Sequence, residues 1–352
     1  MILLSKIGDN YKMKKDIRKL NNDDLIKYDD LINNSIEGTI FHKSWWLTML
    51  KDYYGNSYNV DFYGVFEGED LISGMPIPIH NKFGNKLIYN PKLTPYLGPF
   101  HISRESRNIK KSGEISGKKN INEDFAKILS GLDNCMHYSF HHNITDVQPF
   151  QWNGFDVGVH YTYILNLDDL ARVWGEMDKT RRHDINKCSR EDHDIRLDNI
   201  DDFIKLNKKT LERQGLETLS EKLWLIIFNN CMQHDSCKVF TAYKNQLAIA
   251  SLFLIWDNKR SYYLSGGINN NSEGTMSLLM WEAIKYTKEK LNLREFDFEG
   301  SDTRSIEFFF RKFGGDIKPI FSISKNSLKV STMMKLYKMF KYNKIYWKIS
   351  GK

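Results

Sequence analysis

Residues 239–267 read VFTAYKNQLAIASLFLIWDNKRSYYLSGG. Three apolar runs are separated by two turn-forming triplets, Lys244-Asn245-Gln246 and Asp257-Asn258-Lys259. Short apolar runs broken by tight polar turns are the pattern of hairpin-linked antiparallel strands. The spacing therefore predicts strands over 239–243, 247–256 and 260–265. A Gly/Asn-rich loop, 266–274, leads into a helix from 275 to about 291, whose apolar side carries Leu278, Leu279, Trp281, Ala283 and Ile284. A fourth strand opens the segment FDFEGSDTRSIEFFFRKFGG, residues 296–315. Returning through a helix, it must pair parallel to its neighbour.

The same order occurs earlier with unrelated residues. Strands are predicted over 60–66, 71–79 and 86–89, with turns at Glu67-Gly68-Glu69 and at 81–85. Pro76 and Pro78 assign the middle strand to an edge or irregular position. A loop carrying TPYLGPF (94–100) follows, then a polar stretch, HISRESRNIKKSGEISGKKN, whose composition predicts a mobile insertion near 101–121. A helix over 122–132 and the strand MHYSFHH close the unit. A tryptophan-bearing helix precedes each copy: SWWLTMLKDYY before the first, EKLWLIIFNNCMQ before the second. The expected fold is α/β: two modules, each an antiparallel meander plus a crossover strand in a mixed sheet flanked by helices. Their bounds are 1–165 and 166–325, with a basic tail at 326–352. A strand over 161–167 and a helix capped by Asp168 or Asp169 join them. That helix carries Trp174 and the basic cluster Lys179, Arg181, Arg182, Lys187 and Arg190.

Composition narrows the functional classes. The chain has 352 residues, 41% hydrophobic and 27% charged, which is globular. Its four cysteines form no C-x-x-C pair, so they read as free thiols of a reducing cytoplasm. The N-terminal apolar residues are too few for a signal peptide, and the longest apolar run, 247–256, is half what a bilayer span needs. The net charge of +7 is concentrated in the last 28 residues, which hold eight lysines and no acid. Aromatic and aliphatic residues interleave with those lysines. The tail suits either an anionic membrane surface or a solvated terminal helix. No helix-turn-helix or finger spacing points to specific DNA binding.

FHKSWWLTML (41–50), TPYLGPF, the passage from QPFQWNGFDV (148–157) to TYILNL (162–167), DKTRRHDINKCSR (178–190) and FDFEGSDTRSIEFFFRKFGG together resemble the Fem family of peptidyltransferases and its FemAB-like relatives. Order and spacing carry the resemblance, over roughly residues 20–325. It implies tandem GNAT-fold modules that move an acyl or aminoacyl group onto a primary amine. The acceptor implied is a peptidoglycan or surface-polysaccharide precursor with a diphosphate-linked sugar. The donor implied is aminoacyl-tRNA or acyl-CoA, with no tightly bound cofactor. One departure concerns the donor. CoA-using GNAT proteins carry R/Q-x-x-G-x-G/A before the helix that holds pyrophosphate. Here GGINNNSEGTMSLL (266–279) has no leading basic residue and no G-x-G. Gly266, Gly267, Gly274 and Thr275 are the candidate donor contacts; TPYLGPF offers the first module no such site.

Amine acylation needs a base, donors for the oxyanion and a proton for the leaving group. Asp297 and Glu299 would share a strand face, with Glu299 at the strand end beside Gly300. They are the candidate bases, or else acids on a solvated face. Tyr262 or Tyr263 offers a phenol to the leaving group; alternation buries one of the two, and Tyr263 is the candidate. Lys43, Arg181, Arg182, Asp302 and Arg304 are the candidate acceptor contacts. A surface lysine and a basic helix terminus are the competing explanations for Lys43 and the arginines. His137 and His141 would share a strand face, but no further ligand of suitable spacing follows, so no metal is expected. A scaffold that has lost catalysis and binds a polyanion or membrane is the alternative to an acyltransferase.

Overall fold

The computed structural model describes residues 15–325, except 83, 104–109, 133–134, 192, 270–273 and 301. The basic tail lies outside the described residues. The first half of the chain runs β1 (Lys15–Lys19), α1 (Asp24–Asn34), α2 (Ser44–Met49), α3 (Lys51–Tyr54), β2 (Tyr58–Glu67), β3 (Asp70–Lys82), β4 (Asn85–Tyr89), β5 (Phe100–His101), α4 (Lys111–Ser130), β6 (Cys135–Ser139), α5 (Gln148–Trp152) and β7 (Asp156–Asn166). Two linking helices follow, α6 (Leu170–Glu176) and α7 (Lys179–Arg190). The second half repeats the first: β8 (Asp194–Leu197), α8 (Ile200–Arg213), α9 (Glu221–Gln233), β9 (Cys237–Lys244), β10 (Leu247–Trp256), β11 (Arg260–Ile268), α10 (Thr275–Glu289), β12 (Glu295–Asp297), α11 (Arg304–Arg311) and β13 (Asp316–Lys325).

The meander read from residues 239–267 is β9–β10–β11, antiparallel throughout. Its central strand is apolar at nearly every position because both of its faces are buried. Leu252, Leu254 and Trp256 point into a core with Leu278, Leu279, Ala283 and Ile284 of α10. Phe253 and Ile255 point the other way, onto Phe203 of α8 and Trp224 and Ile227 of α9. Fully burying one such side chain contributes about 1.5–3 kcal/mol, so an acid at position 253 or 254 would be incompatible with either core. The tryptophans anticipated in the two leading helices, Trp46 and Trp224, are among the largest fully buried side chains.

All strands but β5 join one path, β1-β2-β3-β4-β6-β13-β7-β12-β11-β10-β9-β8, and β5 pairs with β3. In each half the strand after the crossover helix is parallel to the meander, β6 on β4 and β12 on β11. The two halves then exchange their last strands. β7, from the first half, pairs antiparallel with β12 of the second (Ile164 opposite Asp297). β13, from the second half, pairs antiparallel with β6 of the first (Ser322 opposite Ser139). β7 and β13 lie side by side from Asp316 opposite Ile164 to Ser324 opposite Asp156. Strand pairing therefore runs across residue 165 without a break.

Several local expectations are corrected. The polar stretch expected to be mobile is helical from Lys111, since α4 spans Lys111–Ser130. Lys118 holds its first half down by an ion pair with the buried Glu37, at 2.8 Å. The basic linker is two helices, broken at Met177; Asp169 caps the first and Asp178 the second. Of the two positions expected for β3, the edge is ruled out and the irregular one is found. Pro76 and Pro78 face the gap between β5, which pairs at 73–74, and β4, which pairs at 79–82. There the missing N–H groups cost nothing, and the Tyr138 hydroxyl donates to Pro76 O. β11 runs to Ile268, so Gly266 and Gly267 lie in a strand rather than a loop. β12 stops at Asp297, so Glu299 is beyond the strand and no alternation relates it to Asp297.

Candidate active site

β11 and β12 pair only at Arg260–Tyr262 against Glu295–Asp297. β11 then continues while β12 ends, and the gap opens into a cleft of about 410 Å³. Its walls are largely apolar: Tyr263, Met276, Phe298, Ile306, Phe309 and Phe310, with Glu299 and Gly300 at one end. A second cleft of about 280 Å³ reaches the same two residues; its walls carry Tyr96, His137, Ser139, His160, Tyr161 and Asp302 beside the apolar Pro95 and Ile320, so it is the more polar of the two. Glu299 is thus shared by a largely apolar cleft and a more polar one.

In the first half the corresponding gap is closed. β4 and β6 part after Tyr89 and His137. Asn90 fills the opening: its Nδ2 donates to the carbonyls of Thr94, Pro95 and Ser139 at 3.1–3.2 Å, and its Oδ1 accepts from Ser139 N at 3.0 Å. Leu97 N donates to Ser139 O at 2.9 Å. TPYLGPF is therefore a plug, and its Pro95 and Tyr96 become a wall of the polar cleft.

Glu299 owes its position to a kink. Glu299 and Gly300 both have left-handed backbones, φ +57° and +68°. Glycine is required at 300 also by contact. A Cβ there would overlap the Tyr161 carbonyl oxygen and lie 3.0 Å from Thr162 Cα. Asp297 anchors the turn. Its Oδ1 accepts from Glu299 N (2.8 Å), Thr162 Oγ1 (2.7 Å) and Tyr96 OH (3.2 Å). Asp297 Oδ2 and Glu299 Oε1 are buried and have no hydrogen-bond partner among the described residues. Burial pushes the Asp297 carboxyl up to about 6. Burial, then the neighbouring Asp297 charge, raises Glu299 well above the usual carboxylate range. A carboxyl group with such proton affinity in a cleft, as Glu299 is, is suited to acid–base work.

Behind Asp297 lies an ion network rather than a metal centre. His141, His142 and Asp297 bring ligand atoms within 4.8 Å of one another. The Arg260 guanidinium, however, bonds His141 Nε2 and pairs with Glu295 at 2.9 Å, so positive charge is already present. Burial and then Arg260 hold both imidazoles neutral, His142 at about 3. The expected shared face of His137 and His141 is not found: His137 lines the polar cleft, while His141 is fully buried against Arg260.

The other candidates are dispersed. Tyr263 lines the apolar cleft, packed on Phe310 at 5.5 Å, and burial raises its phenol. Tyr262 is the inward member of the pair, its hydroxyl on Asp257 at 2.7 Å. Gly266 and Gly267 line the cleft; the second is glycine because α8 crosses β11 there, and a Cβ would overlap the backbone of Leu206 and Asn207. Gly274 and Thr275 start α10 beneath Asp184 and Cys188 of α7. Lys43 spends two of its three N–H groups on Asp29 O and Asn33 Oδ1, at 2.7 Å each, near the C-terminal end of α1. Arg181 bonds Asp184 and Ser277 and stacks over Phe309 at 4.4 Å. Arg182 lies on the same helix, partly buried. Asp302 pairs with His160 at 2.9 Å on the rim of the polar cleft, and Arg304 is exposed in the first turn of α11. Lys43 and the arginines are not brought together. Tyr96, Thr162 and His160 escaped the sequence reading. The only hint was an aromatic residue set between prolines and glycine in TPYLGPF.

Residues 171–308 match the family of the acetyltransferase (GNAT) domain. No curated protein matches the chain. Among solved structures, the fold is similar to that of FemX, at 12% identity, covering 92% of this chain and 99% of that one, with a TM-score of 0.64. It is similar to a tandem GNAT protein from the clavulanic acid biosynthesis pathway (8% identity, 88% and 98% covered, TM-score 0.52). A third neighbour is the C-terminal domain of a putative lysylphosphatidylglycerol synthetase from Agrobacterium fabrum (10% identity, 75% and 84% covered, TM-score 0.51). The fold is the tandem GNAT arrangement expected from the sequence. No helix among the described residues is long and apolar enough to cross a membrane.

Proposed function

We propose that this tandem GNAT acyltransferase moves an acyl or aminoacyl group onto the primary amine of a cell-envelope precursor, a peptidoglycan or surface-polysaccharide intermediate, with Glu299 as the base. The observation that carries this reading is the sharing of Glu299 between a largely apolar cleft and a more polar one. The apolar cleft suits the acyl end of the donor. The polar cleft, with Glu299 and Asp302 and no lysine or arginine among the described residues of its wall, suits an amine. Glu299 takes a proton from the incoming amine, and the nitrogen lone pair forms a bond to the donor carbonyl carbon. The tetrahedral intermediate collapses by breaking the carbon–oxygen bond of an ester or the carbon–sulfur bond of a thioester. Tyr263 gives its proton to the departing atom and regains one from solvent, and Glu299 releases to solvent the proton it took. No covalent enzyme intermediate is required, because both substrates reach one carboxylate at once.

The donor is aminoacyl-tRNA or acyl-CoA, with Gly266, Gly267, Gly274 and Thr275 along its path. Lys43, Arg181, Arg182 and Arg304 are proposed grips for the acceptor's phosphates, acting apart rather than as one site. The setting is the cytoplasm, with the basic tail of residues 326–352 as a proposed contact with the inner membrane face. The test is Glu299→Gln. Calorimetry with acetyl-CoA and desulfo-CoA first establishes whether CoA binds; charged tRNA is the other donor. Mass spectrometry then follows transfer to an amine-bearing sugar peptide. The variant should keep donor affinity and lose transfer by a factor of about 10² or more. Unchanged transfer would remove Glu299 as the base.

A further inference from the structure

We infer that Tyr96, carried by the plug of the first module, is a positioning residue for the second module's site: through Asp297 it fixes the backbone from which Glu299 projects. This rests on the reading of Glu299 as the base. The argument is one of anchorage. Glu299 holds a left-handed φ of +57°, which a residue with a Cβ adopts only when its surroundings enforce it. Its backbone N–H is held by Asp297 Oδ1, which also receives Thr162 Oγ1 and Tyr96 OH. Asp297 is fully buried, so it cannot touch a substrate and acts through what it holds.

Tyr96 is itself a fixed post. Asn90 holds Thr94 and Pro95 just before it, and Leu97 just after it donates to Ser139 O. Trp46 Nε1 donates to Thr94 Oγ1 at 3.0 Å, and the Tyr96 ring packs edge-on to Phe41 and His141. Hydrogen bonds at either end, joined by the backbone from Thr94 to Tyr96, thus link Trp46 to Asp297 and Glu299, from one module into the other. The charged and titratable groups facing Asp297 among the described residues are Tyr96, His141, His142, Arg260, Tyr262 and Glu299; Tyr96 and Tyr263 also face Glu299.

The test is carboxyl ¹³C NMR on the full chain labelled at Asp and Glu, with Asp297→Asn and Glu299→Gln assigning the two signals. Tyr96→Phe keeps the ring and removes only the hydroxyl. Losing one donor to its carboxylate should raise the Asp297 midpoint by roughly half a unit or more and shift or broaden the Glu299 signal. Asp297→Asn should lower the Glu299 midpoint, because the adjacent negative charge is gone. Tyr138→Phe, which removes a buried hydroxyl of the same module from Pro76 O, should move neither signal. Asp297 and Glu299 titrating in Tyr96→Phe as in the wild type would overturn the inference. Transfer surviving in Glu299→Gln would instead overturn the assignment of the base, and the NMR would still judge the linkage on its own.

Discussion

Replacing Gly300 by alanine separates two costs that the structure assigns to this position. The first is conformational: φ is +68°, and a left-handed backbone costs a residue with a Cβ about 1–2 kcal/mol. Gly68, at φ +65° and with nothing within 4 Å of its missing Cβ, bears that cost alone. The second is contact. At Gly300 the Cβ would overlap the backbone carbonyl of Tyr161. That carbonyl belongs to β7, which is registered against β13 along its length and cannot retreat freely. Overpacking of this kind adds about 1–3 kcal/mol. Gly300→Ala should therefore lose about 3–4 kcal/mol and Gly68→Ala about 1–2. With a urea m-value of about 3 kcal/mol/M, a 2 kcal/mol difference separates the two unfolding midpoints by roughly 0.7 M. The variants should be unfolded side by side, following tryptophan fluorescence. Midpoints lowered equally would mean that the kink does not press on β7, and the placement of Glu299 would lose its physical basis.

Three further outcomes are expected. The Asp297 carboxyl, raised to about 6 from an ordinary 3.8, binds its proton more tightly folded than unfolded. Its contribution is therefore fully present below pH 3.8 and lost as pH rises through 6, to the extent of roughly 3 kcal/mol. Asp297→Asn should match the wild type in stability near pH 4 and exceed it near pH 7, and a constant difference across that range would contradict the burial argument. Tyr263→Phe should slow transfer from an ester by a factor of about 10² and from a thioester by less, since a thiolate leaves more readily without a proton; equal loss with both donors speaks against the phenol as acid. Asn90→Ala removes four hydrogen bonds from the closed gap of the first module and should cost about 3–4 kcal/mol, with faster amide exchange at Leu97 and Ser139; protected amides there would show that the plug is held by packing alone.

The meander strands were legible because their burial follows alternation. Phe253 and Leu254 enter opposite cores, and only a strand buried on both faces gives such a run. The edge strands β1 and β8 were not legible. KDIRK and DIRL carry too little apolar material to signal pairing, as expected of edges exposed on one side. α8 was passed over although Phe203 and Leu206 lie on its buried side and Asn199 caps it. At the site, Glu299, Asp297 and Tyr263 were found as residue types, but their relation was misread. Alternation holds only while the backbone stays extended, and it fails at the two left-handed residues after Phe298. The partners that set Asp297, Tyr96 and Thr162, lie 201 and 135 residues away in the chain, beyond the reach of any local pattern.

The exchange of β7 and β13 bears on how the polypeptide reaches this structure. During synthesis β6 emerges long before β13, its partner on the side away from β4, and must wait with that edge unpaired until the last described strand arrives. β12 finds its partner β7 already made. The early half is thus the vulnerable one, exposing a strand edge open to improper pairing while some 175 residues are still to be added. The seam that delivers Tyr96 to Asp297 closes last, so a nascent or truncated chain can hold most of its hydrophobic core and still lack a formed candidate site.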